Sequence, residues 1–205
     1  KKITSIFLVA ILYGCGSSVS PVDQGLIDQV MHIGNGSEPQ GLDPHVVTGV
    51  PEHHLLITMC EGLTISNPEG GANLPGMAES WEISEDGKTY IFNIRKDAKW
   101  SNGDDFVADD MVWSWMRVLT PSLGSQYPDM LYYVEGAEDF NTGVITDFSE
   151  VGVKAIDDKT LEVKLNNPTP FFLGLLSHYS TWPVHKETVL EFGEIDDRQG
   201  LWTRP

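Results

Sequence analysis

The chain has 205 residues, with 30 Asp and Glu against 13 Lys and Arg, for a net charge of −17 at pH 7. That balance argues against nucleic acid and anionic membrane surfaces as partners, since both repel a polyanion. Cys15 and Cys60 are its two cysteines, too few for a disulfide framework.

Taken from the start, Lys1-Lys2 forms a positive region and residues 3–13 a short, mostly apolar run. The run is too short to span a bilayer, which takes about 20 helical residues. Leu12-Tyr13-Gly14-Cys15 resembles a lipobox, so residues 1–14 read as a lipoprotein signal peptide with Cys15 as the lipidation site. An ordinary secretory signal that happens to hold a Cys is the alternative. Residues 15–28 then read as a flexible tether.

Residues 29–34 read as a first strand and 43–49 as a loop. Residues 51–61 predict a helix, with Pro51 in its first turn, Leu55, Leu56 and Met59 on an apolar face, and Gly62 as its end. Cys60, in that apolar end, is expected to be a buried structural thiol. Residues 65–75 form a turn region. A strand pair follows around Trp81 and Ile91. Tyr90, Phe92 and Ile94 share one face at period 2, and Asp86-Gly87 supplies the turn.

The next helix covers 109–119, with Val112, Trp115, Met116 and Leu119 as its expected core face. Asp104, Asp105, Asp109 and Asp110 lack EF-hand spacing and read as helix-start acids. Residues 125–140 hold Tyr127, Tyr132 and Tyr133. Residues 151–156 and 161–165 predict a hairpin over Asp157-Asp158-Lys159, with Leu161, Val163 and Leu165 inward. Thr169 is the expected cap of a helix opening at Pro170, with 171–176 buried. Thr181-Trp182-Pro183-Val184 reads as a crossing segment.

No Gly-x-Ser-x-Gly, P-loop or His-Glu-x-x-His pattern is present, so no enzyme is expected and no cofactor is implied. His45, Glu52, His53 and His54 are the one group that suggests a metal. The adjacent His53 and His54 would point about 100° apart on a helix. Two ligands on one face want i, i+4 spacing, so no metal site is assigned.

Several of these segments carry a resemblance when read in order. They include residues 33–39 (IGNGSEP), Leu42-Asp43-Pro44-His45, Gly49-Val50-Pro51-Glu52, residues 75–100 and residues 152–158. Pro170-Phe171-Phe172 and Pro183-Val184 close the series. Together the chain from about residue 30 to 205 resembles the bacterial extracellular solute-binding proteins that serve ABC importers, within them the oligopeptide-binding branch.

The resemblance implies an α/β, type II periplasmic-binding-protein-like fold, bilobal with an extra inserted domain. Residues 29–60 and 177–205 would belong to the first lobe, and 61–176 to the inserted domain. The chain would be the N-terminal portion, with the other lobe and the partner of the peptide amino terminus beyond residue 205. It implies a monomeric receptor for short peptides, in the periplasm or on the cell surface, held by a lipid anchor and delivering to an ABC permease. Dipeptides, cell-wall peptides, nickel complexes and sugars are alternative ligands within this fold, and a chaperone-like surface lipoprotein is a further alternative. Thr48, Gly49 and Val50 match the loop that holds peptide backbone, while Tyr127 and His178 match cleft-lining positions. One departure stands out: Val107 occupies a helix N-cap where the family usually has Thr, removing a cap worth about 0.5–2 kcal/mol.

Overall fold

The computed structural model describes residues 19–203. The expected signal peptide over 1–14, the Cys15 lipidation site and the final Arg204-Pro205 lie outside the described residues. The chain divides into two units, Lys1–Gly36 and Ser37–Pro205.

In the first unit, α1 spans Pro21–Asp28. Ser20 Oγ accepts the Asp23 N–H at 3.1 Å, and Pro21 occupies the first turn. This helix lies within the segment expected to be a tether, and residues 29–34 form no strand. The reason is local. A capping serine followed by proline nucleates a turn from within the segment, whereas a strand needs an edge to pair with. Gln29 ends the helix in the left-handed region, at φ 56°.

The second unit opens with α2, Val50–Met59, and a short ladder of β1, Thr64–Ile65, against β2, Leu74–Pro75. Its main sheet has four antiparallel strands: β3 (Ala78–Ile83), β4 (Thr89–Ile94), β5 (Val153–Asp157) and β6 (Thr160–Lys164), in the order β3-β4-β6-β5. The β3-β4 hairpin turns at Gly87, φ 69°, in the left-handed region that favours glycine. Phe92 pairs with Leu161 and Tyr90 with Val163. These four side chains, with Ile94 and Leu165, make the buried face, as the period-2 pattern predicts.

Helix α3, Ala108–Leu119, covers that face. Its burial departs from expectation. Met111, Trp115, Val118 and Leu119 enter the main core, while Val112 and Met116 are only half-buried. Trp113 joins Val184 and Val189 in a separate cluster, so α3 is packed on two sides rather than one. The short helices α4 (Ala137–Thr142), α5 (Phe172–Leu175) and α6 (Lys186–Phe192) complete the unit.

Three local expectations are corrected. Helix α2 buries Leu56 but leaves Met59 exposed and Leu55 half-buried, because it packs along one narrow line against Tyr179 and Trp182. It stops at Met59, and Cys60 continues in extended backbone with an exposed thiol, not a buried one. Thr169 does not cap α5 through its side chain. Its hydroxyl donates to the Asn167 carbonyl at 2.9 Å, and Phe171 is exposed.

Candidate functional site

The loop over residues 40–49 leads into α2, and its shape is set by buried polar groups. Gly49 is the N-cap residue of α2, with Val50 and Pro51 beginning the helix. The amides of a first turn have no partner within the helix, so Gly49 and Val50 present donors that the helix itself leaves over. Thr48 and Val50 are exposed. Glu52 is buried, and its Oε1 accepts the Gln40 N–H at 2.6 Å, tying the start of the loop to the first turn of α2. Its carboxylate lies so close to Gly49 that a Cβ there would overlap Oε2. A larger residue here would make the Glu52 side chain shift, at an ordinary φ of −88°. Gln40, Val47, Thr48, Gly49, Glu52 and Arg198 help to line an open depression of about 590 Å³.

Tyr127 and His178 do not line that depression. They meet each other instead, with ring centroids 5.1 Å apart. Between them and the loop stands Tyr179. His178 stacks on it at 4.3 Å, Tyr127 meets it edge-on at 6.2 Å, and His53 of α2 approaches at 5.6 Å. The Tyr179 hydroxyl donates to the Val47 carbonyl at 3.2 Å. The fold thus joins the two groups of sequence-predicted residues through a residue that sequence reasoning passed over. Burial, with Tyr127 and Glu52 nearby, pushes the Tyr179 hydroxyl up to about 12, so it stays protonated and keeps donating. His178 Nδ1 lies 2.8 Å from the Ser180 hydroxyl and 3.3 Å from the Ser180 backbone nitrogen, contacts that fix the ring's orientation. Burial and then the neighbouring His53 hold the His178 imidazole below its ordinary range.

Behind the loop lies a buried charge network. Arg117, wholly buried on α3, donates to Asp43 Oδ1 at 3.0 Å and to Oδ2 at 2.6 Å. It also donates to His45 Nδ1 at 3.0 Å and to the carbonyls of Ile195 and Asp197. Arginine only donates, so Nδ1 accepts, and Nε2–H donates to the Trp182 carbonyl at 2.9 Å. The tautomer is forced. Burial first, and then the charge of Arg117, depress the His45 imidazole to about 4. Burial by itself would raise the Asp43 carboxyl, but the hydrogen bonds and charge of Arg117 hold it below its ordinary value. These residues clamp the loop, α3 and the segment near 195–202 together.

His45 is thus a structural group, while His53 and His54 face one another at 6.2 Å. Among the described residues, no cluster of three or more His, Cys, Asp or Glu side chains could hold a metal ion. Arg117 was legible only as an odd cation inside Trp113–Leu119, a stretch otherwise rich in apolar residues.

This geometry sets a histidine-and-tyrosine face beside the first turn of α2. Residues 74–203 match the model of the family described as bacterial extracellular solute-binding proteins, family 5 Middle. The chain belongs to that family, whose members bind solutes. The periplasmic oligopeptide-binding protein OppA of Escherichia coli K12 is 41% identical over 203 residues, covering 97% of this chain and 36% of that protein. The oligopeptide-binding protein OppA of Bacillus subtilis 168 is 42% identical over 157 residues, covering 77% of this chain and 28% of that protein. A crystal structure of Haemophilus influenzae OppA in complex with RPPGFSPFR superposes with a TM-score of 0.73 at 40% identity. It covers 82% of this chain and 33% of that one. The chain therefore spans about a third of the length of these relatives, and its type II binding-protein fold is theirs.

Proposed function

We propose that the protein is the substrate-binding component of an ABC importer and captures short peptides outside the cytoplasm. The observation that carries this is the juxtaposition of the first-turn amides at Gly49 and Val50 with the Tyr127–Tyr179–His178 face. An extended peptide aligned on such amides is held by main-chain hydrogen bonds, which are indifferent to side-chain identity. Tyr127 and His178 then pack against the ligand, with the tyrosine ring supplying apolar area and a polar tip. Thr48 flanks the same strand-like segment. Capture requires no bond to be made or broken, and lobe closure about a hinge precedes handover to a permease.

In this reading residues 29–60 and 177–205 belong to one lobe and 61–176 to an inserted domain. Cys15 carries a lipid anchor, and the protein acts as a monomer at the outer face of a membrane. Two or more acyl chains would make such anchoring stable, at about 0.8 kcal/mol per buried CH₂.

Native mass spectrometry of the protein at its full encoded length, purified gently from the cell envelope, tests the assignment. A ladder of short-peptide masses that disappears on denaturation is the expected result. A single non-peptide mass, or a metal adduct, would overturn the peptide reading.

A further inference from the structure

The open depression beside the Thr48–Gly49 loop has a single cation among its lining residues, Arg198. Its guanidinium lies against Gly124: a Cβ added to that glycine would stand 2.7 Å from Nη1. Gly124 sits in the left-handed region at φ 60°, and its carbonyl accepts Gln126 Nε2–H at 3.2 Å, so a second lining residue is fixed to the same turn. Among the described residues, Arg198 has no ion-pair or hydrogen-bond partner.

The acids that share the depression leave this cation free. Asp43 is taken up by Arg117, and Glu52 accepts the Gln40 N–H. Glu38 is exposed, so water and salt screen it.

We propose that Arg198 is a ligand-recognition residue whose guanidinium receives a carboxylate of the peptide lying on the Thr48–Val50 loop. The inference rests on the peptide-binding reading given above. A guanidinium is a permanent planar cation, and its paired N–H groups match the two oxygens of a carboxylate. A terminal carboxylate and an acidic side chain present that same pair of oxygens. The chain carries a net charge of −17, so its long-range field disfavours anionic ligands. A preference for them has to be made locally, and Arg198 is the cation placed to make it. One charge pair in a partly solvated depression, with screening, changes affinity about three- to tenfold.

The test is isothermal titration calorimetry on the protein at its full encoded length, with tripeptides of alanine. One pair compares the free C-terminus with its amide, and further pairs compare Glu with Gln at each position. For at least one pair the wild type should favour the acid about three- to tenfold. Arg198→Gln should bring that ratio to one or below. Arg198→Lys should keep part of it and Arg198→Glu should invert it, which keeps the test open if the glutamine variant folds poorly. The pair that responds identifies the source, terminal carboxylate or side chain. Reading a ratio separates recognition from damage, because general weakening lowers both members of a pair alike. A wild type with no acid preference in any pair overturns the inference. So does a preference that Arg198→Gln leaves intact in every pair. Failure of every peptide to bind the wild type would sink the underlying peptide reading, and this inference with it.

Discussion

At Gly49 the absence of a Cβ leaves room for the Glu52 carboxylate. Because a Cβ there would overlap the Glu52 carboxylate, Gly49→Ala should displace Glu52 and release the Gln40 amide. The expected destabilisation is about 1–3 kcal/mol. In a double-mutant cycle measured by urea unfolding, Glu52→Ala should relieve much of the added cost of Gly49→Ala. Strict additivity of the two would show that they do not share one contact. His45 gives a second residue-scale expectation. Its folded value near 4 lies below the ordinary 6.5, so the unfolded chain takes up the proton first. The stability it contributes is full above about pH 6.5 and is lost as pH falls from there toward 4, about 3 kcal/mol in all. Urea midpoints at pH 7.5 and pH 5 should show this loss, and His45→Gln should flatten it.

At the scale of elements, α3 has half of a capping box. Asp110 Oδ2 accepts the Val107 N–H at 2.9 Å and the Trp100 indole N–H at 3.0 Å. Val107 has no side-chain oxygen to return the favour to the N3 amide. Val107→Thr should therefore stabilise the protein by about 0.5–1 kcal/mol, visible as a higher Tm. An unchanged or lower Tm would mean that the methyl lost from the valine outweighs the new hydrogen bond. The same helix carries Arg117, whose removal exposes the opposite risk. Arg117→Met leaves Asp43 buried without its cation, and about 3–5 kcal/mol of destabilisation is expected. Pairing it with Asp43→Leu should recover much of that loss, because an apolar pair spares both desolvation costs.

At the scale of the whole molecule, the second unit is organised around strands distant in sequence. Strand β4 pairs with β6 although some 70 residues separate Phe92 from its partner Leu161, and α3 is the connection that covers the shared face. The inward residues of these strands were legible from their alternation, as were the turns at Gly87 and at Asp157-Asp158-Lys159. The family was legible from motif order. Alternation and turn chemistry are local, so a strand's buried face shows in the residues that compose it. Other features had no local signal. Residues 29–34 read as a strand but form none, since pairing depends on a partner edge. Cys60 and Met59 look like core and are exposed, because α2 meets its neighbours along one line only. Thr48, Gly49 and Val50 were marked as one site with Tyr127 and His178. Their connection runs through Tyr179, about 130 residues along the chain from Val47, whose carbonyl it holds. By itself, then, the sequence determined the family, the amphipathic strands and the capped turns, all of which are written in short-range pattern. Tertiary structure alone decided that Glu52, Tyr179 and the Asp43–His45–Arg117 network hold the candidate loop. Burial and charge pairing depend on which distant segments exclude water together, and no local pattern encodes that.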